Sequence, residues 1–383
     1  MSVVAAFLEG VTAFPDTVAF RSDEGAYTYR ELDLHTIDIA AALQARNPTS
    51  IPKVAIYSGN NISAFACVLS VLRCGGVWVP VNWRNSVEAN IAWLTLTESN
   101  WLFFHSEFEA EAVQIAAQCP LIERLVCIDR TLPFALSLEA FACEGKGVLE
   151  PLPIDLDRVS TIFATGGTTG YSKGAVWTDR AWQALIDTFR TVSPSCDAIV
   201  HLAVGPMTHA AGVLALMMMG QRVTHIVLPK PDPEAILSAI EQYRVTHLYL
   251  PPTLLYMLLS HPRVREYDYS SLVSFIVAAA PIAPEKLKEA VNIFGPVMTQ
   301  AYGQAEAPLL CTYFSRDEIA AAAVGNCDRR LLACGRATPA MEVAIADEEG
   351  NFLTDEEQGE IMWTYLYRAV DKRGDTIDFY LSP

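Results

Sequence analysis

The sequence predicts an α/β fold in which helices cover parallel sheets. The first observation is a strand–helix–strand unit, with short apolar runs at residues 54–57 and 77–81 and helical spacing at residues 62–73 between them. Parallel strands require a crossover of this kind. The second observation is that the same alternation recurs along the chain. The third is composition: 51% of residues are hydrophobic and 19% are charged, which supports a large core and argues against disorder.

The other elements follow from the same periodicities, in chain order. Thr28 with Glu31 three residues later forms a capping box, which predicts a helix start. The predicted helices cover residues 3–14, 28–46, 62–73, 88–96, 107–118, 179–192, 213–219, 232–243, 253–260 and 284–291. The predicted strands cover residues 54–57, 77–81, 101–104, 124–128, 161–164, 200–204, 225–228, 247–250 and 272–280, with a hairpin over residues 19–29. Residues 134–156 carry little regular signal and predict a connection.

Composition also limits the classes of partner. The net charge of −17 argues against sequence-independent nucleic-acid binding and against docking on anionic lipid. Nine scattered cysteines with no Cys-x-x-Cys pair indicate free thiols in a reducing compartment. The N-terminus lacks the basic cluster of a signal peptide, and no apolar run approaches ~18 residues. These features predict a soluble cytoplasmic protein with no membrane span and no nucleic-acid partner.

The clearest chemical signal is the segment of residues 160–175. It passes from a short apolar run into a series of glycines, threonines and one lysine: Thr165, Gly166, Gly167, Thr168, Thr169, Gly170 and Lys173. Glycines let backbone N–H groups approach an anion closely, and hydroxyls and a lysine add further donors and charge. The segment therefore predicts a phosphate-binding loop.

Two other interpretations of this loop can be weighed from the residues. The common nucleotide motif G-x-x-x-x-G-K-[ST] fails, because Lys173 is followed by Gly174. Residues 170–174 also fit G-x-S-x-G, which would make Ser172 the nucleophile of a serine hydrolase. That motif places its serine directly after a strand, whereas the apolar run here ends at Ala164, and no His-Gly-Gly-Gly segment is present.

Residues 165–174, Thr-Gly-Gly-Thr-Thr-Gly-Tyr-Ser-Lys-Gly, resemble the phosphate loop of the acyl-adenylate-forming superfamily. That family includes acyl-CoA synthetases, luciferases and peptide-synthetase adenylation domains. Its usual form is Thr-Ser-Gly-Thr-Thr-Gly-x-Pro-Lys-Gly, from which this chain departs at Gly166 and Ser172. Further segments resemble family motifs and occur in family order: residues 27–33, 72–82, 206–212, 278–282, 298–306 and 334–361.

The resemblance implies the fold of the N-terminal domain of acyl-CoA synthetases: two parallel-sheet lobes wrapped by helices plus a partial β-barrel. Residues 1–54 and 195–325 are expected to form one lobe, residues 55–194 the lobe with the phosphate loop, and residues 326–383 the partial barrel. The family's mobile C-terminal domain, which carries its catalytic lysine, has no counterpart in this sequence. The resemblance therefore implies weak ATP binding and little acyl-CoA formation by these residues alone.

The resemblance also assigns site residues. The catalytic set is Lys173, Glu306 and His209, and Thr165 with Glu306 would serve the metal. The nucleotide-binding set is Thr165, Gly166, Gly167, Thr168, Thr169, Gly170, Lys173, Ala279, Ala280, Pro281, Tyr302 and Gly303. The acyl pocket would be formed by Met207, His209, Gly212, Val213 and Ala278.

The implied activity is ATP-dependent conversion of a carboxylic acid, expected to be a fatty acid, to acyl-AMP and then acyl-CoA. ATP, Mg²⁺ and CoA as co-substrate are the implied ligands, with a small carboxylic acid as partner; a homodimer stays open. A catalytically degenerate protein that binds an acyl acid or a nucleotide is the alternative. The departures at Gly166, Ser172 and Ala305, where the family has threonine, favour that alternative.

Overall fold

The computed structural model describes residues 2–145, 149–165, 173–207, 210–307, 310–346 and 360–365. Within these ranges the chain forms a nine-stranded sheet, a seven-stranded sheet and a separate two-stranded pair, with helices packed on the two larger sheets. The mixed α/β class predicted from the sequence is confirmed.

The nine-stranded sheet has the order β16-β15-β14-β13-β12-β10-β11-β1-β2. Its six central strands are parallel, whereas β2, β15 and β16 pair antiparallel at the two edges. The strands are β1 (Val18–Ser22), β2 (Gly25–Thr28), β10 (Ile199–Ala203), β11 (Val223–Val227), β12 (His247–Leu250), β13 (Ser274–Val277), β14 (Met298–Tyr302), β15 (Thr312–Phe314) and β16 (Arg336–Ala337).

The seven-stranded sheet has the order β7-β6-β5-β3-β4-β8-β9 and is parallel except for the pair of β8 and β9. Its strands are β3 (Lys53–Tyr57), β4 (Val77–Pro80), β5 (Trp101–Phe104), β6 (Arg124–Cys127), β7 (Leu136–Ser137), β8 (Val159–Ala164) and β9 (Gly174–Thr178). The two-stranded pair joins β17 (Met341–Ala346) to β18 (Glu360–Tyr365). We propose that each large sheet is the centre of one predicted lobe and that the pair belongs to the predicted barrel.

Most helices of the described residues connect one strand to the next, and α1 precedes β1. The helices are α1 (Val3–Ala13), α2 (Tyr29–Arg46), α3 (Ile62–Arg73), α4 (Val87–Thr97), α5 (Glu109–Gln118), α6 (Leu138–Gly145), α7 (Asp179–Val192), α8 (Ala210–Met218), α9 (Pro233–Gln242), α10 (Pro252–Leu259), α11 (Pro284–Phe294), α12 (Arg316–Val324) and α13 (Asp328–Leu331). The capping box predicted at Thr28 and Glu31 is present at the start of α2. No helix among these is long and apolar enough to cross a membrane.

The strand β9 corrects the expected setting of the phosphate loop. The sequence predicts the helix of residues 179–192 as the next element after the loop, but β9 comes first and pairs antiparallel with β8. Its Ala175 and Trp177 are buried while Gly174 and Val176 are exposed, so the segment follows the period of two that a strand requires. The strands on either side of the loop, β8 and β9, therefore form a hairpin. A nucleophile elbow requires a strand-to-helix turn, so this hairpin also removes the structural setting of a Ser172 hydrolase.

A second correction concerns residues 134–156, where the sequence predicted only a connection. The helix α6 forms there and buries Leu138 and Phe141, with the Phe141 ring 5.6 Å from that of Phe103. A β-carbon on Gly145 would lie 2.1 Å from the carbonyl oxygen of Asp38 in α2. The close approach of α6 to α2 therefore depends on glycine at this position.

Candidate active site

A cavity of about 230 Å³ lies where the two large sheets face each other. It is lined at the carboxyl ends of parallel strands, which is where ligands bind in open α/β sheets. From the seven-stranded sheet and α4 it receives Pro80, Asn82, Asn85, Ala89, Trp93, Phe163, Ala164 and Trp177. From the nine-stranded sheet and α8 it receives Ala210, Val213, Tyr249, Ala278, Ala279, Gly303, Gln304 and Ala305.

Four residues assigned from the sequence line this cavity: Val213, Ala278, Ala279 and Gly303. Two more assigned residues lie next to its wall in the chain. Thr165 follows Ala164, and Glu306 follows Ala305. Because adjacent Cα atoms are about 3.8 Å apart, both lie near the cavity.

The remaining assigned residues divide into two groups. Lys173, Met207, Gly212, Ala280, Pro281 and Tyr302 are described but do not line the cavity. Gly166, Gly167, Thr168, Thr169, Gly170, Ser172 and His209 lie outside the described residues. The roles of both groups stay predictions.

The base of the predicted phosphate loop is closed by the backbone. The amide of Thr165 donates a hydrogen bond of 2.9 Å to the carbonyl oxygen of Lys173, which extends the ladder of β8 and β9 by one step. Thr165 is buried and Lys173 is exposed. Lys173 forms no ion pair with any described residue, so its charge is available to an anion.

The segment after β13 is strained. Ala279 has a φ of 78°, in the left-handed region that glycine tolerates and alanine rarely adopts. The family motif that residues 278–282 resemble, Gly-Gly-Ala-Pro-Leu, has glycine at this position. The alanine therefore keeps the backbone shape of that pattern at a conformational cost of about 1–2 kcal/mol.

A tight turn follows β14 at residues 304–307. The amides and carbonyls of Gln304 and Ala307 bond to each other at 3.0 and 3.2 Å, and the Trp177 indole N–H donates to the Ala305 carbonyl at 2.6 Å. The turn is thereby fixed to the hairpin of the other sheet. Glu306, in the middle of the turn, is half-buried and has no ion-pair partner within the described ranges.

Tyr302 precedes this turn at the end of β14. Its ring packs with a small cluster of Ala307, Cys311 and Met341, and its hydroxyl has no partner among the described residues. Burial raises the pKa of Tyr302 to about 12, so the hydroxyl stays protonated. The ring is held against β17, and its predicted contact with adenine stays a prediction.

The Asn60 side chain joins the two sheets behind the cavity. It follows β3, and its Nδ2 donates to the carbonyls of Val204, Gly205 and Leu228 at 3.2, 2.9 and 3.2 Å. Its Oδ1 accepts from the Met207 amide at 2.9 Å. One side chain thus fixes the segment that leads from β10 into α8.

Gly212 has a packing reason for being glycine. A β-carbon there would lie 1.8 Å from the Met207 carbonyl oxygen. No side chain fits in that space, so glycine lets the start of α8 close onto the segment that Asn60 holds. The predicted acyl-pocket residues Met207 and Gly212 therefore pack closely against each other, next to the α8 residues Ala210 and Val213 that line the cavity.

A row of buried histidines lies beneath the nine-stranded sheet's part of the cavity. His225, His201 and His247 are in register on β11, β10 and β12, and each is 0% exposed. The Nδ1 atoms of His201 and His225 are 2.9 Å apart. Burial lowers the pKa of His201 to about 3, that of His247 to about 4, and that of His225 well below its usual value. All three rings are therefore neutral at neutral pH.

Sequence reasoning missed the aromatic and amide residues of the cavity: Asn82, Asn85, Trp93, Phe163, Trp177 and Tyr249. A signal existed for some of them. Asn82 follows the predicted strand of residues 77–81, and Tyr249 lies at the end of the predicted strand of residues 247–250. Asn82 follows the carboxyl end of its strand and Tyr249 is the penultimate residue of β12, so both lie near the edge of the sheet where the general rule for α/β sheets places ligands.

The described residues fit an anionic nucleotide and one divalent cation. Mg²⁺ usually binds through one or two carboxylates together with substrate phosphates and water. Glu306 can supply one carboxylate and Thr165 a hydroxyl, while Lys173 offers an unpaired charge. Among the described residues, no three His, Cys, Asp or Glu side chains form a group that could hold a metal by themselves.

Comparison with known proteins gives the family. The AMP-binding enzyme family matches residues 7–364 of the chain. A medium/long-chain-fatty-acid–CoA ligase of Mycobacterium tuberculosis, FadD8, is 33% identical over 262 residues, which are 66% of this chain and 44% of that protein. A feruloyl-CoA synthase of an Amycolatopsis species is 28% identical over 352 residues, which are 91% of this chain and 67% of that protein.

Solved structures show the same fold. The amide bond synthetase McbA from Marinactinospora thermotolerans has a TM-score of 0.82 at 25% identity, over 95% of this chain and 71% of that chain. ATP-bound MatB from Rhodopseudomonas palustris has a TM-score of 0.80 at 23% identity, over 95% of this chain and 70% of that chain. The family match spans nearly all of the described residues, and the predicted resemblance is confirmed. The chain belongs to the AMP-binding enzyme family.

Proposed function

We propose that this chain binds ATP and a carboxylic acid at the cavity between its two sheets and joins them as an acyl-adenylate, which CoA then captures. One observation carries the proposal. The base of the phosphate-loop hairpin, the segment at Ala278 and Ala279, and the turn at residues 303–305 line a single cavity although they are distant in sequence.

The proposed roles follow the positions of these segments. The acid occupies the cavity, with its carboxylate towards the hairpin and the turn. The nucleotide lies along the hairpin, with Lys173 at its phosphates and the segment of residues 279–281 with Tyr302 at its base. His209 would lie beside the carboxylate, at the start of α8.

The chemistry that such a site must perform is a displacement at phosphorus. A carboxylate oxygen attacks the α-phosphorus of ATP, the bond to the β-phosphate oxygen breaks, and pyrophosphate leaves with the electron pair. Both reactants are anions, so positioning and charge neutralisation account for most of the acceleration. Lys173 would hold the departing phosphates, and Glu306 with Thr165 would hold Mg²⁺, which neutralises their charge.

Capture by CoA is the second proposed half-reaction. The CoA thiol loses its proton to solvent and its sulfur attacks the acyl carbon; the bond from that carbon to the phosphate oxygen breaks, and AMP leaves with the electron pair. The relatives named above as CoA ligase and CoA synthase support this step by their names. One of those relatives is named for medium- and long-chain fatty acids and the other for the feruloyl group, so the exchange assay below uses a panel of acids.

A degenerate binding protein is the second candidate. The observation in its favour is that two positions at the cavity carry alanine where the family pattern has other residues. Ala279 is strained in place of glycine, and Ala305 lacks the hydroxyl of the usual threonine. Such a protein would hold the acid or the nucleotide without forming the mixed anhydride.

Exchange of labelled pyrophosphate into ATP, measured with a panel of carboxylic acids, separates the two candidates. We expect acid-dependent exchange by the wild-type chain and its loss in Lys173→Met. The matched control is Lys230→Met, which removes an exposed lysine away from the cavity. Exchange that stays at background with every acid, while calorimetry still detects acid or nucleotide binding, would establish the binding protein instead.

A further inference from the structure

The walls of the cavity are rings whose polar atoms are already occupied. The Trp93 indole N–H donates to the Pro80 carbonyl at 3.0 Å, and the Trp177 indole N–H donates to the Ala305 carbonyl at 2.6 Å. The Phe163 ring packs on Trp177 with their centroids 4.4 Å apart. These hydrogen bonds and ring contacts fix the orientation of the rings, so the walls offer preformed aromatic surface and no indole donor.

The remaining lining leaves a compact space. Small residues, among them Ala89, Ala278 and Gly303, line the cavity together with these rings. The volume of about 230 Å³ is below the usual range for drug-sized ligands, roughly 300–1,000 Å³. A cavity of roughly 150 Å³ accommodates benzene. The space therefore suits a single ring with a small substituent better than an extended acyl chain.

The Tyr249 hydroxyl is one of the polar groups of the lining that have no hydrogen-bond partner among the described residues, and the buried Nε2 of Gln304 is another. Tyr249 is only 7% exposed, and its hydroxyl forms no hydrogen bond with any described residue. The Tyr302 hydroxyl is fully buried and unpartnered, but that of Tyr249 is not fully buried and so keeps access to solvent space. The space that Tyr249 lines is the cavity. Its hydroxyl is thus available to a ligand there.

The position of Tyr249 makes it the floor of the cavity. It lies inside β12, opposite Ile276 of β13, whereas Ala278 and Gly303 come after the ends of β13 and β14. A ligand whose carboxylate is held near the rim would direct its far end towards Tyr249. Burial raises the pKa of Tyr249 to about 12, so the phenol remains a hydrogen-bond donor at neutral pH.

We propose that Tyr249 is a specificity-determining residue that selects one-ring aromatic acids carrying a hydrogen-bond acceptor, such as a hydroxyl, on the ring. This inference rests on the proposed function, since it names the acid that the cavity takes. An acid with an apolar far end would leave the Tyr249 hydroxyl buried without a partner, and an unsatisfied buried hydroxyl is costly. The same cost does not arise when the far end accepts a hydrogen bond.

The test compares acids of nearly equal shape. Pyrophosphate exchange is measured with 3- and 4-hydroxybenzoate, with 3- and 4-methylbenzoate, and with octanoate. For the better isomer we expect wild-type chain to favour hydroxyl over methyl by roughly tenfold to a hundredfold in kcat/KM. Tyr249→Phe should bring this ratio to about one or below, whereas the matched Tyr243→Phe, a half-buried tyrosine outside the cavity, should leave it unchanged.

A binding measurement separates failure of this inference from failure of the proposed function. Trp93 and Trp177 line the cavity, so the same acids can be titrated by quenching of tryptophan fluorescence without any turnover. Hydroxyl selectivity in binding that Tyr249→Phe removes would support the inference even with no exchange. Robust exchange with octanoate but not with the benzoates, or a selectivity that Tyr249→Phe leaves intact, would overturn the inference and leave adenylation standing.

Discussion

The two large sheets bury very different side chains. The seven-stranded sheet has an aromatic core, in which Trp78, Phe103 and Phe141 are almost completely buried. The nine-stranded sheet buries polar groups in register, with His225, His201 and His247 followed by Ser274 on the next strand. The first sheet supplies fixed apolar walls to the cavity. The second supplies the floor of the cavity, and its stability depends on the protonation of the three buried histidines and on the strained Ala279. Changes made in the two sheets should therefore have different kinds of effect on stability.

Acid should destabilise the protein mainly through the nine-stranded sheet. The folded-state pKa values of the three buried histidines lie below the unfolded value of about 6.5. The unfolded state therefore binds more protons below pH 6.5, and stability that is complete above that pH is lost as the pH falls towards 4. At pH 5 the expected loss is about 2 kcal/mol for each histidine. Urea unfolding between pH 7.5 and 5 measures it.

The variant for this prediction is His201→Leu. It should reduce the loss of unfolding free energy between pH 7.5 and 5 by the contribution of one histidine, about 2 kcal/mol, whatever the effect of the substitution at pH 7.5. The control is His261→Gln, which changes a histidine paired with Glu234 outside the row. An unchanged slope in His201→Leu would contradict the assignment of acid sensitivity to this row.

In the seven-stranded sheet the largest effect should come from Trp177. Replacing it with alanine removes packing on Phe163 and Trp182 and leaves the Ala305 carbonyl without its donor. We expect a loss of about 3–5 kcal/mol in unfolding free energy, with no change in its pH dependence. Trp177→Phe should retain most of the packing and lose about 1–3 kcal/mol. A loss of unfolding free energy that depends on pH would contradict the proposed difference between the two sheets.

Two neighbouring asparagines test the link between the sheets. Asn60→Asp places a carboxylate against three carbonyl oxygens, so we expect about 1–3 kcal/mol of destabilisation and a fall in pyrophosphate exchange. Asn61→Ser is the control, because Asn61 caps α3 by accepting from the Ala64 amide and serine caps equally well, without placing a carboxylate against the Gly59 carbonyl to which Asn61 Nδ2 donates. Equal melting temperatures and exchange rates for the two variants would show that Asn60 does not position the segment before α8.

The smallest expected effect is a gain. Ala279→Gly should stabilise the protein by about 1 kcal/mol, because glycine adopts the φ of 78° without strain. The control is Ala280→Gly, at a position with ordinary backbone geometry, which should cost about 0.5–1 kcal/mol. Thermal melts that show a loss for both variants would mean that Ala279 is not strained.

The sequence predicted well those elements that have both a regular spacing of apolar residues and a recognisable start or end. The helix α2 has the Thr28–Glu31 capping box, and α3 lies between two apolar strands. An equivalent capping box at Ser315 and Glu318 begins α12, but it was not used and the helix was missed. The strand β9 was missed because its apolar run, residues 175–177, is only three residues long and does not alternate with polar residues.

The cavity shows what sequence could not supply. The resemblance gave Val213, Ala278, Ala279 and Gly303, which line the cavity together. Trp93 and Tyr249 come from segments without a family motif, and only the approach of the two sheets brings them to the same space. The family motif has glycine at the position of Ala279, and that glycine indicates a residue in the left-handed region. The composition of this chain alone does not reveal such a residue.

We propose above that the acid to be adenylated lies in the cavity between the sheets. Ala89 and Ala92 are exposed residues of the same helix, α4, and of the two only Ala89 lines the cavity. Acid-dependent pyrophosphate exchange by Ala89→Trp and Ala92→Trp tests the claim directly. We predict that Ala89→Trp abolishes exchange while keeping the wild-type melting temperature, and that Ala92→Trp exchanges like wild type. Undiminished exchange by a folded Ala89→Trp variant would contradict the claim.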